Sequence, residues 1–339
     1  MKKNLTLFVF SAAFCIILGS VLISGCTKEG PEGPPGMDGA DATETCMTCH
    51  NFSEDLVAKI GQYYNSAHAS GNNINRNNPN CSHCHTSQGF RTFLETGESV
   101  AVPEPTAINC RTCHPIHETY TFDDYRVRTD HPVSMILAEG TYDYGNSNLC
   151  ANCHQGRPVS PFPVPGESGE LTITNARFGP HYGPQANIFI GKGGYEIAGS
   201  MPYENSVHTN IISDGCITCH MAPPVGYDAG GHQMSVKYGT SSYNYSGCSG
   251  CHTDAAELTA RMNNNREEIY DLTIELRDLL IAHDLLNEGN LLVPTPIDVT
   301  HDQAGAILNY KFVYGDKSHG AHNYKYVKAL LINSIESLQ

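Results

Sequence analysis

Six copies of the pentad Cys-x-x-Cys-His constrain this chain more than any other feature. They begin at Cys46, Cys81, Cys110, Cys150, Cys216 and Cys248, continue through Cys49, Cys84, Cys113, Cys153, Cys219 and Cys251, and end at His50, His85, His114, His154, His220 and His252. Two thiols at this spacing can each add across a vinyl group of protoporphyrin, and the adjoining histidine then falls under the iron as its proximal ligand. The chain's own Cys and His frequencies would give roughly 0.03 such pentads by chance. Zinc needs two Cys pairs, or a Cys pair with a His pair, and gives no reason for His after every second Cys. The pattern implies six covalently attached c-type haems.

At the N-terminus, Lys2 and Lys3 precede an apolar run from Leu5 to Ile23, as in a secretory signal. Ile23-Ser24-Gly25-Cys26 resembles the lipobox of bacterial lipoproteins, so residues 1–25 are expected to be removed and Cys26 to carry lipid. Cleavage of an ordinary signal is the alternative. Either route exports the chain, as covalent haem attachment outside the cytoplasm requires. With Cys15 in the removed segment and Cys26 lipidated, the other twelve of fourteen cysteines all belong to pentads. None is left for a disulfide, and porphyrin takes over as the covalent staple. Glycine at every third position from Gly30 to Gly39 looks like collagen, but four triplets are too few for an unaided triple helix. Residues 26–42 thus read as a lipidated tether.

Residues 43–253 read as the haem-binding region, with weak periodicity, abundant Gly and Pro and no Trp. Short helices after the pentads, long loops and a core supplied largely by haem are expected there. Residues 254–339 change character. Asp254 to Leu286 reads as a long helix with Leu258, Met262, Ile269, Leu272, Leu276 and Leu279 on one face. Thr300 to Gln303 reads as a capping box opening a second helix, and Val327, Leu330, Leu331, Ser334, Ile335 and Leu338 mark a third. The expected fold class is mainly α with much irregular coil and little β, organised around stacked haems with a helical C-terminal scaffold.

A second histidine on each iron would give a low-spin centre suited to passing electrons. Eleven histidines lie outside the pentads. His68 and His208 share the context Asn-Ser-x-His. His232 follows Gly230-Gly231, and His181 sits between Pro180 and Pro184, where tight backbone allows close approach. His117, three residues after His114, cannot reach the opposite face of that iron and would serve a neighbour. His131, before Pro132, is the sixth candidate. His83 is expected to be exposed, His283 shares the apolar face of its helix, and His319 and His322 are in reserve.

The pentads, with Cys110-Arg-Thr-Cys113-His114-Pro-Ile-His117, Ser206-Val-His208 and Gly230-Gly231-His232, resemble multihaem c-type cytochromes of the outer-surface and extracellular electron-transfer type, some of which polymerise into nanowire filaments. Ser318-His319-Gly320-Ala321-His322-Asn323, before an apolar helix, resembles the helical tail of several multihaem families. The resemblance implies stacked, largely bis-histidine haems that form a path for electrons across or beyond the envelope. It also implies an electron carrier rather than a catalyst, placed at the outer membrane or cell surface. Filament assembly is the form in which one subunit's histidine ligates the next subunit's haem. The alternative is a nitrite- or hydroxylamine-type reductase with one open iron, against which stands the absence of a Cys-x-x-Cys-Lys variant. A formal charge of −15 disfavours nucleic acid and suits basic redox proteins, cationic metal species or mineral surfaces as partners.

Overall fold

Residues 46–339, apart from 48, 51, 52 and 72, are described by a computed structural model. The expected signal peptide, Cys26 and the collagen-like tether lie outside the described residues. The chain divides into two compact units, Met1–Asn51 and Phe52–Gln339. In the first, the His50 N–H donates to the Cys46 carbonyl at 2.7 Å, closing the pentad into a helical turn.

The second unit begins with α1 (Glu54–Tyr64), α2 (Ala67–Ser70), α3 (Ser82–His85), α4 (Ser87–Thr96), α5 (Cys110–Cys113), α6 (Asn148–Ala151), α7 (Gln185–Ile190), α8 (His208–Ile211) and α9 (Gly215–His220). Apart from α1 and α4, each has six residues or fewer. Most of these turns fall on the pentads rather than after them. Strand is sparse: β1 (Val133–Ser134) pairs with β2 (Thr141–Tyr142), β3 (Glu170–Ile173) with β6 (Ile297–Thr300), and β4 (Lys237–Tyr238) with β5 (Ser242–Tyr243), all antiparallel. The fold is mainly helical with much coil.

The C-terminal helices α10 (Ala255–Ala282), α11 (His301–Asp316) and α12 (Tyr324–Glu336) pack on one another. Asp254 caps α10 by accepting from the N–H groups of Ala256 and Glu257. Its buried stripe is Leu258, Ile269, Thr273, Leu276 and Leu280. Leu280 lies deeper than Leu279. The helix ends at Ala282, so His283 is exposed instead of sharing the apolar face. In α11 twelve residues are buried, as befits a central element walled on several sides. Every expected apolar position of the last helix is buried, from Val327 to Leu338.

Three asparagines on this scaffold bind the irregular chain beside it. Asn309 accepts from the Tyr195 N–H at 2.7 Å and donates to the Tyr195 carbonyl at 2.8 Å and to Ser334 Oγ at 2.9 Å. Asn333 accepts from the Met201 N–H and donates to the Met201 carbonyl. Asn323 accepts from the Ser206 N–H at 2.8 Å and donates to the Ile188 carbonyl. All three are fully buried. Backbone that lacks a sheet or helix ladder must still satisfy its polar groups, and these amides do so between residues 188 and 206. His208 follows directly.

Away from the helices the apolar core thins. A separate cluster contains Val133, Met135, Tyr142, Ala151, Ala186 and Phe189, while the large cluster is built on α10–α12 with inserts such as Ile173, Ile188 and Tyr195. At Thr300, both halves of the capping box form: Oγ1 accepts from the Gln303 N–H at 3.2 Å and Gln303 Oε1 from the Thr300 N–H at 3.0 Å. Thr300→Ala is expected to cost about 1 kcal/mol, measured by chemical denaturation, with haem content unaltered. No loss of stability would count against the cap.

Candidate metal centres

A pentad wound as one helical turn sets its cysteines on one side, three residues apart, with the histidine beside the second. The i to i+4 hydrogen bonds that wind it run from His85 to Cys81 at 3.2 Å, His114 to Cys110 at 2.9 Å, His154 to Cys150 at 2.9 Å and His252 to Cys248 at 2.8 Å. The Cys216–His220 pentad lies within α9. All twelve described cysteines are free of disulfides.

Five pentad histidines each face a histidine from elsewhere. Ring centroids are 6.0 Å apart for His154 and His68, 6.4 Å for His85 and His181, 6.1 Å for His114 and His232, 6.1 Å for His252 and His208, and 6.1 Å for His220 and His322. A metal–imidazole bond of about 2.0 Å on each side, plus about 1.1 Å from nitrogen to ring centre, gives roughly 6.2 Å between the centres of two rings on one metal. The separations therefore suit one iron between two imidazoles. Among the described residues no three His, Cys, Asp or Glu side chains converge on a metal position, and a porphyrin, which brings four ligands of its own, requires only two.

Four of the six candidate histidines, His68, His181, His208 and His232, thus stand opposite pentad histidines. Gly231 shows the backbone reason at one of them. It has φ +51°, a Cβ there would lie 2.4 Å from Gln62 Oε1, and that oxygen accepts the His232 N–H at 3.0 Å. His322, the reserve candidate, stands opposite His220. His131 faces none of these pentad histidines; it is exposed in a cleft lined by Tyr125 to Asp130 and Asn146, with its N–H on Thr129 Oγ1. His117 has φ +67°, donates its N–H to Asp124 and stacks its ring on Tyr120 at 5.7 Å. Nor is His83 exposed: it is half-buried against Phe93, with Nδ1 2.9 Å from Ser99 Oγ. His319 packs on Tyr270, and His301 is buried, accepting from the Val164 N–H.

Imidazole ligates as the neutral base, with the other ring N–H donated to an acceptor. His114 Nδ1 lies 2.9 Å from the Arg126 carbonyl, His220 Nδ1 2.8 Å from the Met234 carbonyl, and His154 Nδ1 3.3 Å from Gln185 Oε1. His322 Nδ1 lies 2.6 Å from Asp316 Oδ1, and His68 Nδ1 3.1 Å from Met234 Sδ. Burial, reinforced by the charge of His154, pushes the His68 ring down to about 4. Burial likewise lowers His85, His181, His208, His220 and His232, so each favours its neutral form. At His322 burial lowers and the Asp316 charge and hydrogen bond raise, with a net rise.

The sites also touch one another. The Cys84 thiol lies 4.0 Å from the Asn152 carbonyl and the Cys153 thiol 3.6 Å from the His83 carbonyl, while Ser147, on the turn that leads into the fourth pentad, accepts the Ile217 N–H at 2.9 Å. The second, fourth and fifth pentads therefore form a contiguous row. Sequence reasoning missed Asp316, Gln185 and Met234. Asp316 had a local signal, a carboxylate six residues before His322, whereas Gln185 and Met234 act across long stretches of chain.

The architecture, helical turns threaded by loops and backed by long C-terminal helices, is one found in a known cytochrome. The crystal structure of the outer cell wall cytochrome OcwA shares it with a TM-score of 0.54 and 18% sequence identity. The match covers 83% of this chain and 50% of that one, so this chain spans about half the length of OcwA. The likeness is one of fold. No protein-family model matches the chain, and no curated protein matches it.

Proposed function

We propose that the chain is a six-haem c-type cytochrome that carries electrons across or beyond the cell envelope to extracellular acceptors. The observation that carries this reading is the set of five facing histidine pairs, each joining one pentad to a distant part of the chain at the spacing of two axial ligands. The chemistry that bound haem supplies is one-electron exchange at iron. The chain's own residues do the rest. Paired cysteines would hold each haem, the five facing histidine pairs would ligate five of the irons, and the partners at Nδ1 of His68, His114, His154, His220 and His322 would hold those imidazole tautomers. The contacts that join the second, fourth and fifth pentads support neighbouring porphyrins close enough for electrons to hop along the row.

Cell-surface placement rests on the exported, lipid-anchored reading of Cys26 and is in keeping with a fold neighbour that is an outer cell wall cytochrome. With a formal charge of −15, the surface suits cationic redox partners, metal species or minerals. Low-temperature EPR of the oxidised, haem-loaded protein, concentrated and diluted, tests the assignment. The expected spectrum is low-spin at every concentration, with pyridine haemochrome giving six haems per chain. A high-spin signal that persists would favour the open-site reductase. One that appears only on dilution would mean that a neighbouring subunit supplies a ligand, as in a filament.

A further inference from the structure

We propose that Asp316 is a positioning residue that holds the haem of Cys216, Cys219 and His220 at a lower potential than its neighbour on Cys150, Cys153 and His154. The inference rests on the haem reading given above. Of the histidines in the five facing pairs whose Nδ1 contacts are described, His114 and His220 meet backbone carbonyls, His154 an amide oxygen and His68 a thioether. His322 meets a carboxylate, at 2.6 Å. The Asp316 side chain is 1% exposed, so its charge is little screened by water. Its second oxygen accepts from the Ser318 hydroxyl and, at 3.4 Å, from the Ser318 N–H.

A charge-assisted bond to Nδ1–H makes the far nitrogen a stronger donor. That favours ferric over ferrous iron and lowers the potential of the site. No bond is made or broken: one electron passes between this iron and a neighbouring haem, and the Nδ1 proton stays on His322. Asp316 also reaches the adjacent site, because its backbone carbonyl accepts from Gln185 Nε2 at 3.2 Å while Gln185 Oε1 meets His154 Nδ1. Substituting the side chain leaves that second link in place. One haem should therefore respond and its neighbour should not.

The test is spectropotentiometric titration with EPR of haem-loaded Asp316→Asn. One midpoint should rise by the equivalent of about a tenfold change in ferric-to-ferrous preference, about 59 mV for a one-electron couple, with one low-spin signal altered. Ser318→Ala, which removes a hydrogen-bond donor from the carboxylate and concentrates its charge on His322, should move the same midpoint downward, a sign that mere loosening of the site does not produce. Ser318→Ala also decides the matter where Asp316→Asn does not fold. Unchanged midpoints in Ser318→Ala, or a rise in place of the fall, would overturn the role of Asp316 while leaving the haem reading intact. Purified protein with no haem on the Cys216–Cys219 peptide by mass spectrometry would overturn both.

Discussion

Replacing His68 with alanine is expected to open one haem, that attached through Cys150 and Cys153, and to leave the others low-spin. The His68 ring stands 6.0 Å from that of His154, on the short helix α2, which Ser66 caps by accepting the Ala69 N–H at 3.3 Å. Losing the imidazole does not touch that cap, so the backbone should stay in place and the axial position should go to water. The oxidised protein should gain a high-spin EPR signal, and the reduced protein should bind about one more carbon monoxide per chain than the parent does. Because the fourth pentad lies between the second and the fifth, electron transfer along the row should slow as well. A variant that remains wholly low-spin and indifferent to carbon monoxide would remove His68 from the ligand set.

How much of this was legible depends on how local each requirement is. Thioether attachment needs two thiols and a histidine within one helical turn, so the pentads and their histidines can be read directly. The opposite ligand has no such constraint: His68 meets His154 and His208 meets His252 only after the chain has folded back. Repeated context picked out two of the histidines that face a pentad. Asn65-Ser66-Ala67-His68 and Asn205-Ser206-Val207-His208 both deliver a facing histidine, although their serines do different work. Ser66 caps its own helix, and Ser206 accepts the Lys325 N–H at 3.2 Å. His131 and His322 show where context fails. His131 leads into β1 and faces none of the five paired pentad histidines, whereas His322 is brought opposite His220 by the packing of α12 and the hydrogen bond to buried Asp316. The three C-terminal helices were legible from apolar spacing and caps. Their asparagines were not, because Asn309, Asn323 and Asn333 occupy core positions where an apolar residue would satisfy the periodic pattern, and their backbone partners lie 114 or more residues away.

Those asparagines carry the largest expected effect on stability. Asn309→Leu keeps roughly the same volume but strands the Tyr195 N–H and removes one of two donors from the Tyr195 carbonyl, which the Ile197 N–H still meets at 3.0 Å, at the centre of the large apolar cluster. A buried backbone group left unpaired costs about 1–3 kcal/mol and a lost hydrogen bond about 1 kcal/mol, so a loss of about 2–4 kcal/mol is expected, less whatever the added apolar contact returns. That is a large share of the 5–15 kcal/mol typical of a folded domain. Thermal unfolding followed by far-UV circular dichroism should show the midpoint fall by about 4–12 °C. The EPR spectrum at low temperature should still be low-spin, because neither Tyr195 nor Asn309 touches a facing histidine. An unchanged midpoint would mean that the chain around Tyr195 is held by haem rather than by α11. A high-spin signal at low temperature would mean that the scaffold and the His208 site are one cooperative unit, and that the asparagines hold the iron's geometry as well as the fold.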